Sequence, residues 1–222
     1  MTRLLVRTSF VTLFLTLAAG ATTSFATPIV AGQALLNLTP TTLLVPAPTV
    51  PISTSTSSIF SAPALPPLHF SGVAFSTVYQ ESLANNPLGG LTFVYDVSND
   101  SVSPDRLERF TVGNFGGITV DVGFNTATGP AIPAFIDRPE DDVIGITWFA
   151  PDTILPGTTS SELIIRTDAK DVAPNIIAIL DGAGAEVAGI GPATGSGKTP
   201  EPASLCVLSL GGLALLGRRR KV

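Results

Sequence analysis

The chain has 222 residues, one cysteine and one histidine, and a formal net charge of −5. Six basic residues and all seventeen acids lie between Thr27 and Pro202, so this central part carries a charge of −11. Such an acidic body excludes a nucleic-acid-binding protein, which needs clustered Lys and Arg. The only cysteine, Cys206, lies outside this part, which therefore has no disulfide framework, thiol nucleophile or zinc–thiolate site.

The first 26 residues have the layout of a secretory signal peptide. Two arginines precede a short apolar run, and small residues at positions 24 and 26 suit a cleavage site. The layout predicts a signal helix over residues 1–26, passage through the Sec translocon, and cleavage between Ala26 and Thr27. A cut after Ala21 and an uncleaved anchor are the alternatives.

Residues 27–68 form a segment rich in Pro, Ser and Thr. Its repeated prolines exclude a continuous helix, while its apolar clusters favour one or two short strands. The run STSTSS at 53–58 has low complexity. We therefore expect short strands followed by a mobile connector.

Residues 69–192 have the pattern of a β domain. Runs of five to ten residues, rich in β-branched and aromatic types, alternate with clusters of Gly, Pro, Asn and Asp. The predicted strands are Phe70–Tyr79, Leu91–Val97, Leu107–Val112, Ile118–Phe124, Val143–Phe149, Glu162–Thr167, Asn175–Leu180 and Glu186–Ile190. The pattern predicts an all-β fold, an antiparallel β-sandwich of immunoglobulin-like or jelly-roll-like type, followed by a flexible linker over 193–199.

The C-terminal segment, residues 200–222, has three parts. Its parts are the tripeptide Pro200, Glu201, Pro202, the uncharged run 203–217, and the basic end Arg218, Arg219, Arg220, Lys221. The prolines keep the tripeptide extended. The apolar run spans roughly 22 Å as a helix and predicts a single transmembrane helix, whose basic end stays cytoplasmic.

This order of parts resembles the PEP-CTERM sorting signal of Gram-negative and related bacteria. The resemblance implies that an exosortase recognises the segment at the inner membrane and cuts at or near the tripeptide. The body would then be released to the cell surface or extracellular matrix of a bacterium that makes exopolysaccharide and biofilm. The body, with pieces such as LTFVYDVSND, also resembles PEP-CTERM proteins of unassigned role. A plain C-terminal membrane anchor is the alternative.

Catalytic and metal-binding patterns are weak in this sequence. His69 would have to serve any Ser-His-Asp triad, and no G-x-S-x-G motif accompanies it. Oxygen-rich stretches occur at Glu140–Asp142 and between Asp96 and Asp105, where solvated turns are favoured over weak Ca²⁺ sites. A pair of glycosidase carboxylates is conceivable, but the sequence selects no pair.

An aromatic sugar-stacking face is one further hypothesis. Its members would be Trp148, Phe149, Tyr79, Tyr95 and Phe115, although burial of Trp148 is favoured. We expect a non-enzymatic surface protein without a cofactor, with a structural or interaction role. The alternatives are a carbohydrate-binding or adhesive module, with or without Ca²⁺ and with extracellular polysaccharide as partner, and a carboxylate-based glycoside hydrolase.

Overall fold

The structure is a computed structural model that describes residues 27–36, 38, 40, 53–62, 70–126, 128–181 and 183–193. The expected signal peptide, residues 194–199 of the linker, the sorting segment 200–222 and His69 lie outside the described residues. No helix within the described ranges is long and apolar enough to span a membrane.

Twelve strands and no helix make up the regular structure of the described residues. They are β1 (Thr27–Pro28), β2 (Gln33–Leu36), β3 (Ser53–Ser61), β4 (Ser71–Gln80), β5 (Leu91–Asn99), β6 (Arg109–Val112), β7 (Val120–Asn125), β8 (Phe135–Glu140), β9 (Val143–Thr147), β10 (Glu162–Thr167), β11 (Val172–Asp181) and β12 (Ala183–Pro192). Sheet A has the order β1-β7-β10-β5-β4-β3, and sheet B has the order β12-β11-β6-β9-β8-β2. Every strand pairing among the described residues is antiparallel, so the predicted all-β, antiparallel character is confirmed.

One hydrophobic core takes side chains from both sheets. In β5, Leu91, Phe93, Tyr95 and Val97 are all buried in it, as their alternation predicts. The opposite wall comes from sheet B, where strand residues such as Ile146 are fully buried. The two sheets therefore bury their inner faces against a common interior.

Hydrogen bonds also connect the last strand to sheet A. The hydroxyl of Tyr95 donates to the carbonyl oxygen of Ile190 at 2.7 Å, and the Ile190 amide donates to Ser76 Oγ at 3.1 Å. A buried phenol needs such a partner. The end of β12 is thus fixed to the opposite sheet shortly before the described chain ends at residue 193.

Arg138 of β8 joins several loops. Its side chain is 4% exposed, and its guanidinium donates to the carbonyl oxygens of Ile29, Phe115, Ile118 and Asp141 at 2.6–3.3 Å. Only arginine offers five donors in a fixed planar arrangement. Ile29 and Ile118 are buried, so Arg138 supplies donors to carbonyl oxygens in the interior.

Three sequence expectations need correction. The Ser/Thr run at 53–58 lies in the strand β3, which pairs with β4, so it is not a mobile connector. β1 and β2 pair with β7 and β8, and the strands of 27–68 therefore belong to the same two sheets as those of 69–192. β8, with the sequence FIDRPE, was not predicted because its charges and proline lower its strand propensity.

Candidate functional site

The outer face of sheet A brings two carboxylates side by side. Leu163 pairs with Tyr95 in the β10–β5 ladder, which places Glu162 next to Asp96 across the two strands. Directly opposed residues on one sheet face have Cβ atoms about 5 Å apart. On its other side Asp96 faces Phe75 of β4. Asp96 and Glu162 together form the acid pair.

The environment of the acid pair favours retention of a proton. Burial first, and then the neighbouring Glu162, together raise the pKa of Asp96 from 3.8 to about 7. Burial also raises the pKa of Glu162, while a hydrogen bond from Asn125 Nδ2 at 2.8 Å opposes that shift. Two like charges side by side on a partly buried face are unfavourable, so Glu162 opposes the ionisation of Asp96.

A cleft of about 380 Å³ opens beside Asp96. The described residues that line it are Phe75, Thr77, Asp96, Ser98, Thr128 and Thr159. Four of these six carry a hydroxyl, one is aromatic and one is a carboxylate. Oδ1 of Asp96 is buried and receives no hydrogen bond from the described part of the chain. The cleft thus offers a set of short polar groups beside one partly buried carboxylate.

The wall of the cleft is held in place by close backbone contact. Thr128 Oγ1 donates to the carbonyl oxygen of Ser160 at 2.9 Å, and Ser98 and Thr159 share a hydrogen bond of 2.5 Å between their hydroxyls. A Cβ at Gly129 would overlap the Thr159 carbonyl oxygen. Glycine is therefore required for the 128–130 segment to approach the 159–160 backbone.

A buried ion pair lies further along the same face. Glu81 Oε2 accepts from Arg166 Nε at 2.8 Å and from Thr92 Oγ1 at 2.6 Å, and both charged side chains are at most 3% exposed. Asn86, also buried, donates to the carbonyl oxygens of Gly90 and residue 167. These groups satisfy one another, so we assign them to the structure of the loop that precedes β5.

Apart from Asp96, which lies in β5, the acidic residues predicted from sequence and described next act in turns. Asp142 Oδ1 and Asp141 Oδ2 accept the backbone amides of Gly116 and Gly117 at 3.0 and 2.8 Å. Asp100 accepts a 2.7 Å hydrogen bond from Ser71 Oγ. No group of three or more His, Cys, Asp or Glu side chains suited to a metal ion occurs among the described residues. The two stretches also lie on different loops and form no joint site.

The predicted aromatic face does not form. Trp148, Tyr95 and Phe115 are in the core, as favoured for Trp148, whereas Phe149 is 59% exposed and contacts Phe135 edge-to-face at 5.7 Å. Tyr79 is half-buried on the outer face of sheet A, near the acid pair. The five aromatics therefore divide among three environments: the core, the outer face of sheet A, and the exposed position after β9.

Sequence comparison decides the nature of the C-terminal segment. Residues 198–221 match the family model of the PEP-CTERM protein-sorting motif. The chain carries a PEP-CTERM sorting motif. The match includes Pro200, Glu201 and Pro202 and the basic residues Arg218, Arg219, Arg220 and Lys221, all of them outside the described residues.

The PEP-CTERM motif indicates an exported protein with a membrane-anchored precursor that an exosortase processes. It covers only the end of the chain and says nothing of the β domain. No curated protein and no solved structure matches the chain. The proposed cleavage between Ala26 and Thr27 stays a prediction; Thr27 itself is exposed and is the first residue of β1.

The acid pair was beyond the reach of sequence reasoning. The sequence marks Asp96 only as part of an oxygen-rich stretch and Glu162 only as the first residue of a predicted strand. The alternation in β5 and β10 does predict that both side chains point away from the core. Which outward residues meet depends on the order and register of strands 66 positions apart, and neither is written in the local pattern.

Proposed function

We propose that this protein is an exported, non-catalytic component of the bacterial cell surface or extracellular matrix, released by an exosortase and associated with biofilm or exopolysaccharide. The PEP-CTERM motif at residues 198–221 carries the proposal. The working part would be a β-sandwich of immunoglobulin-like or jelly-roll-like type. Two antiparallel sheets around a common core support that description.

Mass spectrometry of the protein recovered from its own host tests this proposal. We expect the mature form to lack the residues that precede Thr27 and those that follow the tripeptide, and to occur in the surface or matrix fraction. Replacement of Glu201 by Ala is expected to retain the tail and hold the protein in the membrane fraction, whereas Glu186→Ala, an exposed control on β12, should be processed normally. An intact tail in the wild-type protein would refute processing and leave a simple anchor.

A carbohydrate-binding role is the second candidate. The hydroxyl-lined cleft beside Asp96 is the observation that favours it. A glycoside hydrolase is a weaker candidate, supported by the acid pair alone. Release of reducing ends from a polysaccharide by the wild-type protein, and its loss in Glu162→Gln, would support hydrolysis over simple binding.

A further inference from the structure

We propose that the cleft on the outer face of β4 and β5 binds a neutral sugar unit of a polysaccharide, through Asp96, the surrounding hydroxyls and the ring of Phe75. This binding site would give the proposed surface protein a ligand. It rests on the proposed function in one respect only, namely that export brings the protein into contact with polysaccharide. The size of the cleft, about 380 Å³, falls in the usual range for small-ligand sites.

The carboxylate of Asp96 is the first argument for a ligand with hydrogen-bond donors. The side chain lines the cleft, and a partly buried acceptor gains from a bound donor. Because Oδ1 is completely covered, a ligand would meet the carboxylate through its other oxygen. A ligand hydroxyl that enters the cleft would donate to that oxygen.

The protonation of the acid pair favours a hydroxyl over a cation as that donor. The pKa of Asp96 is raised to about 7 by burial and by Glu162, so both protonation states occur near neutral pH. A cationic ligand would suit only the ionised form. A hydroxyl both donates and accepts, and it pairs with either form.

The other polar groups of the cleft have the same dual character. Thr77, Ser98, Thr128 and Thr159 each present a hydroxyl to the cleft. Ser98 and Thr159 are already hydrogen-bonded to each other, yet each hydroxyl oxygen has lone pairs to spare. A wall made of hydroxyl groups is complementary to a polyol and offers little to an apolar ligand.

Phe75 and the net charge further limit the class of ligand that the cleft can bind. The half-buried Phe75 lies directly beside Asp96 across β4 and β5, where its apolar surface can pack against the C–H face of a sugar ring. The charge of −11 on the body repels acidic polysaccharides. Together these features select a neutral saccharide.

The test uses the full-length chain purified in detergent. An array of neutral and acidic oligosaccharides is screened, and the neutral oligosaccharides that bind are titrated by calorimetry. We expect binding to neutral members only, weakened about three- to tenfold in Thr77→Val, which removes one neutral hydrogen bond. We expect a loss of at least about tenfold in Asp96→Asn, since hydrogen bonds to a charged group are stronger.

Thr111→Val is the matched control, because Thr111 is a half-buried threonine on β6 of the other sheet. It should bind as the wild type does, and the fluorescence of the buried Trp148 should show that every variant is folded.

Three results would overturn the inference: no neutral oligosaccharide bound at about 1 mM, equal weakening by Thr77→Val and Thr111→Val, or binding restricted to acidic oligosaccharides or a lysine peptide. Because the unprocessed chain is used, a failure of exosortase processing in the host would leave this result unaffected.

Discussion

Replacement of Asp96 by Asn should stabilise the protein at neutral and alkaline pH. In the folded state Asp96 keeps its proton up to a pKa of about 7, because burial and then Glu162 disfavour the charged form. In the unfolded chain it ionises near its ordinary value of 3.8. Between these two values the folded state binds more protons than the unfolded state, so the free energy of unfolding falls as the pH rises.

The size of the effect follows from the difference between the two pKa values. One pKa unit corresponds to about 1.4 kcal/mol, which sets an upper limit of about 4 kcal/mol for the stability lost between pH 4 and pH 7. Asp96 is only partly buried and coupled to Glu162, so we expect on the order of 2 kcal/mol. The asparagine variant never ionises and should avoid this loss.

Urea unfolding at pH values from 4 to 8 measures the effect, with fluorescence of Trp148, the only tryptophan, as the probe. Asp96→Asn and wild type should be about equally stable at pH 4, and the variant should become progressively more stable towards pH 8. Glu186→Gln is the control, since it removes one negative charge from an exposed position on β12. Parallel pH profiles for wild type and Asp96→Asn would show that the reasoning is wrong.

Three other variants probe the packing that supports the site. Arg138→Met should lower the free energy of unfolding by about 2–4 kcal/mol, measured by urea unfolding, because the buried Ile29 and Ile118 carbonyl oxygens lose the guanidinium donor; a cost below about 1 kcal/mol would contradict this role. Tyr95→Phe should cost about 1–2 kcal/mol and speed amide exchange at Ile190, whereas unchanged exchange there would mean that the hydroxyl does not hold β12. Gly129→Ala should destabilise the fold by about 1–3 kcal/mol in thermal unfolding, since its Cβ would overlap a backbone oxygen; wild-type stability would show that the cleft wall is not closely packed.

Strong local patterns allowed much of the β domain to be predicted. Glu162–Thr167 has the predicted bounds, and β5 buries the predicted face, because an alternating or continuous apolar run leaves few other conformations. The composition of residues 53–58 predicts a connector where the structure has β3, because Ser and Thr are common in loops. Its position is decided instead by pairing with β4, where Phe60 reaches the core. Tertiary pairing thus overrode local composition.

The acid pair shows the same limit at the level of the site. Each carboxylate alone looks like an ordinary outward residue of a strand, and only the β5–β10 register makes them neighbours. The shift in pKa is a property of that contact and of burial, neither of which exists in a single strand. A reader of the sequence could predict the two outward faces but not their juxtaposition.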